Sequence, residues 1–208
     1  MQDTSADWNL VEEVLSRLCT ACNEGKLIPL LEADVVGYMH YAVVDRFRGD
    51  ASRVHLSTRL YGAKQNDKYD LVIGEVRGTT EQKEALLERA GERIDAEMRR
   101  LLASPSTLMG FRPAVHGRFI LEIKVFTVGF TANQNRVHLD QSIQDVGKLG
   151  DLAAICPKGR ALVLFDSNGY LTDIRKGSIV KARGKDDTNL RIYICERSNS
   201  QPFRWGLL

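Results

Sequence analysis

The sequence predicts an α/β fold on three observations. Short β-branched and aromatic runs alternate with stretches of helical period. One run, residues 118–130, is apolar and β-branched enough for a central strand. A strand, a helix and a strand then follow in an order that calls for a right-handed parallel crossover. With 208 residues, 43% of them apolar and 27% charged, the chain can bury a sizeable core and is expected to form one domain over residues 1–208.

The elements follow in order. Two amphipathic helices are predicted, over about residues 7–22 and 30–47, the second opening near Pro29 and carrying Leu30, Leu31, Val35, Tyr38, Met39, Ala42 and Val43 at helical spacing. Residues 53–61 and 68–76 read as a hairpin joined by the polar turn GAKQND. From Thr79 to about Ala103 runs a strongly charged helix, capped by Thr79 or Thr80, with Leu86, Leu87, Ile94, Met98, Leu101 and Leu102 on its apolar side. That helix covers the sheet or pairs with a second subunit. A loop over 104–113 leads into the strand over 118–130, helical period returns over 139–155, and RALVLFD (160–166) is a further buried strand. A less regular segment spans 170–182, and LRIYICE (190–196) is a last strand.

Composition excludes several classes. No stretch reaches the ~18 apolar residues of a membrane span, and the acidic amino terminus does not read as a secretory signal, so a cytoplasmic protein is expected. Cys19 and Cys22 form a CxxC within a helical stretch and read as half-buried structural thiols; Cys156 and Cys195 are single and distant. His40, His55, His116 and His138 have no metal-ligand spacing, and no phosphate-binding glycine loop or G-x-S-x-G appears. Net charge is only +2, but residues 149–208 hold ten bases against six acids while residues 1–34 hold seven acids against two bases. A basic carboxy-terminal part facing phosphates and an ordinary solvated surface both account for this asymmetry.

The chemistry concentrates in FILEIKVF. In a strand, alternate side chains share a face, so Glu122 and Lys124 project together while Leu121, Ile123 and Val125 point the other way. Two charges in the most apolar strand need a partner, a metal ion or each other. Asp70, near the start of an otherwise apolar strand, is the second carboxylate; a turn cap is its structural alternative. An Asp and a Glu on neighbouring strands offer the hard oxygen donors that Mg²⁺ prefers.

In these residues the chain resembles the PD-(D/E)XK nuclease superfamily, the restriction-endonuclease-like fold. The resemblance implies a mixed central sheet flanked by helices, with a core over about 30–166 and the helix 79–103 as an insertion. It makes Asp70 the motif acid, Glu122 the second acid and Lys124 the motif lysine. It adds Glu32 from the first core helix and likens Asp145 and Lys148 to an acid and a lysine on the following helix, with Lys148 as a nucleic-acid contact or, alternatively, a solvated lysine. Tyr69 stands where the name-giving proline would be, and the Asp70-to-Glu122 gap is longer than usual. The implied activity is Mg²⁺- or Mn²⁺-dependent hydrolysis of DNA, or of RNA. The competing expectations are a catalytically inactive nucleic-acid-binding module and an interaction subunit that forms a homodimer or larger complex through helix 79–103.

Overall fold

A computed structural model of the chain describes residues 5–49, 53–58, 60, 63, 67–76, 115–183, 187–197 and 201–208. The helix expected over 79–103, with its caps and its subunit contact, lies outside the described residues. The architecture is mixed α/β, a six-stranded mixed sheet flanked by helices. Strands β1 (Val54–Thr58), β2 (Tyr69–Val76), β3 (Val115–Phe126), β4 (Gly159–Asp166), β5 (Leu190–Glu196) and β6 (Arg204–Leu207) lie side by side in chain order. The first three pair antiparallel, β3, β4 and β5 run parallel, and β6 returns antiparallel on the edge. The β3–β4 pairing is the predicted crossover, spanned by a helix over Ala132–Gly150.

Each face of the sheet carries a helical layer. Helix α1 (Ser5–Asn23) buries Val11, Val14, Leu15 and Leu18 at i, i+3, i+4 and i+7, and α2 (Glu32–Arg46) buries Val35, Met39, Ala42 and Val43. They pack on Leu71, Phe119, Leu121, Ile123 and Val125, the odd-numbered residues of β2 and β3. The opposite face, with Val72, Ile120, Phe126, Leu162 and Leu164, receives α3 (Ala132–Gly150) and α4 (Asp173–Ala182). β4 is buried along its whole length, as a strand covered on both faces must be. At its start the backbone comes close to a core ring: a Cβ on Gly159 would lie 2.1 Å from the Phe119 side chain.

Several boundaries differ from the sequence reading. Helix α2 opens at Glu32 rather than beside Pro29, because the Asp34 carboxylate accepts from the Leu30 and Leu31 N–H groups at 2.9 Å each. Helix α3 starts seven residues earlier than expected, at Ala132, where Thr131 and Gln134 form a reciprocal capping box. β3 ends at Phe126 rather than 130, the irregular segment 170–182 contains helix α4, and β6 is an additional edge strand. Among the described residues no helix is long and apolar enough to cross a membrane.

Candidate active site

β3 carries the site on its even-numbered face, the α3 side. Glu122 is 3% exposed there, and Lys124 lies two residues along the same face. The β2–β3 register runs through Val72↔Ile120 to Leu71↔Leu121, one residue short of Asp70 and Glu122. The ladder changes character at this step. Ile123 N–H donates to the Asp70 side chain, Oδ2 at 2.8 Å, and Tyr69 packs on the same face as Val72, three residues away. Strand alternation therefore breaks between Tyr69 and Val72, and the Asp70 carboxylate takes a β3 amide as a backbone carbonyl would. This is a structural task for Asp70, but a carboxylate that accepts one bond keeps acceptor capacity for others.

Two lysines sit among the acids. Lys124 Nζ is 3.5 Å from Glu32 Oε2 at the start of α2 and 3.3 Å from Asp145 Oδ2 on α3, and donates to the Ile123 carbonyl at 3.0 Å. Lys148, one helical turn beyond Asp145, donates to Glu122 Oε1 at 2.6 Å and to the Lys68 carbonyl at 2.9 Å, with its ammonium 4.4 Å from the centre of the Tyr69 ring. All six residues of the sequence reading thus meet here: Glu32, Asp70, Glu122, Lys124, Asp145 and Lys148. Lys148 is the ion-pair partner of Glu122.

Among the described residues of the group, four carboxylates face two ammonium groups at formal charge, and the protonation of the group reflects this excess of acids. Burial, the nearby Asp70 charge and Asp145 push the Glu122 carboxyl up to about 8, against the opposing pull of Lys148. Glu32 is raised as well, by burial first and then by Asp70 and Asp145, with Lys124 opposing. Burial works against the Lys124 ammonium, but Glu32, Asp145, Asp70 and Glu122 together outweigh it and raise its pKa. The protonated form of Lys124 is thereby favoured.

No protein-family model matches the chain, and no curated protein does. The chain is similar to SfsA of Pyrococcus furiosus. That structure, solved in complex with Ca²⁺, shares 9% identity and a TM-score of 0.34, over 85% of this chain. The chain spans 64% of the length of SfsA. At this score the likeness carries no argument about what the site does.

The oxygen donors that could hold a cation are Asp70 and Glu122, with Glu32 and Asp145 behind Lys124. Their chemistry fits a hard divalent ion: every donor is an oxygen, and among the described residues the acids outnumber the ammonium groups. In the arrangement observed, Lys148 occupies Glu122, and among the described residues no three acidic, imidazole or thiol side chains converge as a ligand set. Sequence reasoning missed Tyr69 as a site residue, reading it only as a replacement for proline. It is 1% exposed, beneath Lys148. His138, three residues from Asn135 on α3, also lies near Lys124, and burial and that ammonium lower its pKa.

The basic carboxy-terminal part is partly consumed internally. Arg160 pairs with Asp187 at 2.6 Å, Lys176 with Glu196 at 2.7 Å and Arg191 with Glu12 at 3.0 Å.

Proposed function

We propose that the chain is a metal-dependent nuclease of the PD-(D/E)XK type that hydrolyses phosphodiester bonds in DNA, with RNA as the alternative substrate. The observation that supports this reading best is Glu122, a carboxylate almost wholly buried on a central strand, near Asp70 and within a group whose acids outnumber its ammonium groups among the described residues. Burying such a group without full compensation costs several kcal/mol, a cost that a fold retains for chemistry rather than for stability.

On this reading Asp70 and Glu122 hold one Mg²⁺ or Mn²⁺, and Glu32 is the acid added from α2. A bound divalent ion supplies charge neutralisation at the scissile phosphate and acidifies a water. The remaining work falls to the chain itself. Lys124, kept protonated by its carboxylate neighbours and held by Glu32 and Asp145, orients the attacking water or stabilises charge on the phosphate. Lys148 is the second cation within reach of a phosphate and competes meanwhile for Glu122. Binding to nucleic acid weakens steeply as salt rises, because it runs through phosphates.

The test is incubation with single-stranded, double-stranded and branched DNA and with RNA, in Mg²⁺, Mn²⁺ or EDTA. Cleavage is expected with either ion and not in EDTA. Asp70→Ala abolishes it, and Lys124→Met lowers it by on the order of 10²-fold. Cleavage that survives EDTA, or that both variants leave unchanged, contradicts the reading. A nucleic-acid-binding module without catalysis is the second reading, favoured by the 2.6 Å Lys148–Glu122 pair and by the lack of a three-residue ligand set among the described residues. Binding of nucleic acid without Mg²⁺ uptake or cleavage selects it.

A further inference from the structure

Beyond Lys124, at the end of the sheet where β2 begins, β3 and β4 run out together into two connections, 127–131 and 167–172. The Ser167 N–H donates to the Phe126 carbonyl and the Asn168 side-chain amide to the Thr127 carbonyl, each at 2.9 Å, so the two connections form one surface. Rings collect there. Phe126, two residues past Lys124, stacks on Tyr170 with ring centres 5.6 Å apart, and His138, near Lys124, lies 4.8 Å from the half-buried Phe130. Two aliphatic side chains stand out into solvent beside them, Val128 at 76% exposed and Ile174, in the first turn of α4, at 84%.

The same surface carries a cation. The Arg175 guanidinium lies 3.9 Å from the centre of the Tyr170 ring and donates to the Tyr170 carbonyl. Unlike Arg160, Lys176 and Arg191, it has no carboxylate partner among the described residues, and Asp173, two positions before it on α4, forms no ion pair with it. A guanidinium has five N–H donors, most of which this arrangement leaves unused. A half-buried cation fixed on a ring, with donors to spare and no counter-charge, is prepared for an anion from outside.

We propose that this surface holds a single nucleic-acid strand leading out of the site, with Arg175 on a backbone phosphate and Phe130, Val128 and Ile174 against unstacked bases. The proposal rests on the nuclease reading for what is cut. Nucleic acid is the occupant that the two features call for together: a phosphate matches the guanidinium fork, and bases match the apolar and aromatic contacts beside it. A paired base keeps its faces inside the stack, so a strand that uses these contacts is single. The surface is also continuous with the site. Phe126 follows Lys124 by two residues, about 7 Å of strand, and Tyr170 and Arg175 lie one ring contact further each, within the span of several nucleotides that single-strand sites cover.

The test is fluorescence anisotropy in EDTA, with an oligothymidylate of about fifteen nucleotides and a blunt duplex of equal length as probes. The oligothymidylate is expected to bind the full chain more tightly than the duplex does. Arg175→Gln should weaken that binding at least about threefold and lower the slope of log affinity against log salt by about one, as the loss of one phosphate contact does. Val128→Ser combined with Ile174→Ser should weaken it comparably while leaving the slope unchanged, because contacts to bases are removed instead. These side chains are exposed or half-buried, and a melting temperature equal to the parent's shows that each variant keeps the fold. Duplex bound as tightly as the single strand, an affinity that either variant leaves unchanged, or no binding of the oligothymidylate overturns the proposal. A parallel cleavage assay in Mg²⁺ separates it from the nuclease reading. Binding that depends on Arg175 without cleavage keeps the surface and removes the nuclease; cleavage with a KM that Arg175→Gln does not raise does the reverse.

Discussion

Two buried carboxylates on adjacent strands, Asp166 at the end of β4 and Glu122 in the middle of β3, are held in opposite ways. Asp166 is 0% exposed and accepts from three backbone amides of the following turn, Asn168 and Tyr170 at 3.1 Å and Leu171 at 2.7 Å. Its charge completes the β4–α4 connection. Glu122 is 3% exposed and, among the described residues, accepts from the Lys148 ammonium, while Asp70 and Asp145 repel its charge. The fold that satisfies one acid leaves the other short of partners. The difference separates a carboxylate that stabilises the chain from one that is kept at a cost.

The sharpest way to break this comparison is Asp166→Ala, which strands three amides and should cost about 3–5 kcal/mol in urea unfolding. Glu122→Gln should cost no more than about 1 kcal/mol in EDTA near pH 5, since it keeps the volume and an acceptor for Lys148. Equal losses in the two variants would erase the distinction.

The same pair gives a pH test. The Glu122 carboxyl, pushed from its usual 4.5 up to about 8, binds its proton more tightly in the folded chain than in the unfolded one. The wild type therefore loses stability as pH rises through that window, and the untitratable Glu122→Gln does not. In EDTA the variant should gain on the wild type between about pH 5 and pH 9. A constant difference would mean that Glu122 is ionised in the fold throughout. The smallest effect belongs to Tyr69→Phe, which removes an unpaired buried hydroxyl and should raise stability by about 1 kcal/mol.

Period-two alternation was enough to read Glu122 and Lys124 onto one face, because a central strand obeys it strictly. It does not extend to Asp70. There alternation breaks, and a side chain takes the amide that a backbone carbonyl would take. The partner of Lys148 was hidden for a different reason. The resemblance points to Asp145 and Lys148 but not to their partners, and only the packing of α3 over β3 turns them toward the two site charges. The early start of α3 was legible in principle: Thr131-x-x-Gln134 is a capping box, passed over because the polar turn that follows, Asn133 to Arg136, carries no apolar period. β6 has four residues and no buried side chain, so no sequence pattern marks it.

The central claim, a proposal, is that the neighbouring acids Asp70 on β2 and Glu122 on β3 take up a divalent cation. Calorimetric titration with Mg²⁺ tests it directly, on the wild type beside Asp70→Asn, Glu122→Gln and Lys148→Met. One ion per chain is expected for the wild type. Asp70→Asn and Glu122→Gln should each weaken it at least about tenfold, about 1.4 kcal/mol. Lys148→Met, by freeing Glu122, should tighten it. An absence of Mg²⁺ binding, or an affinity that none of the three substitutions moves, would contradict the account.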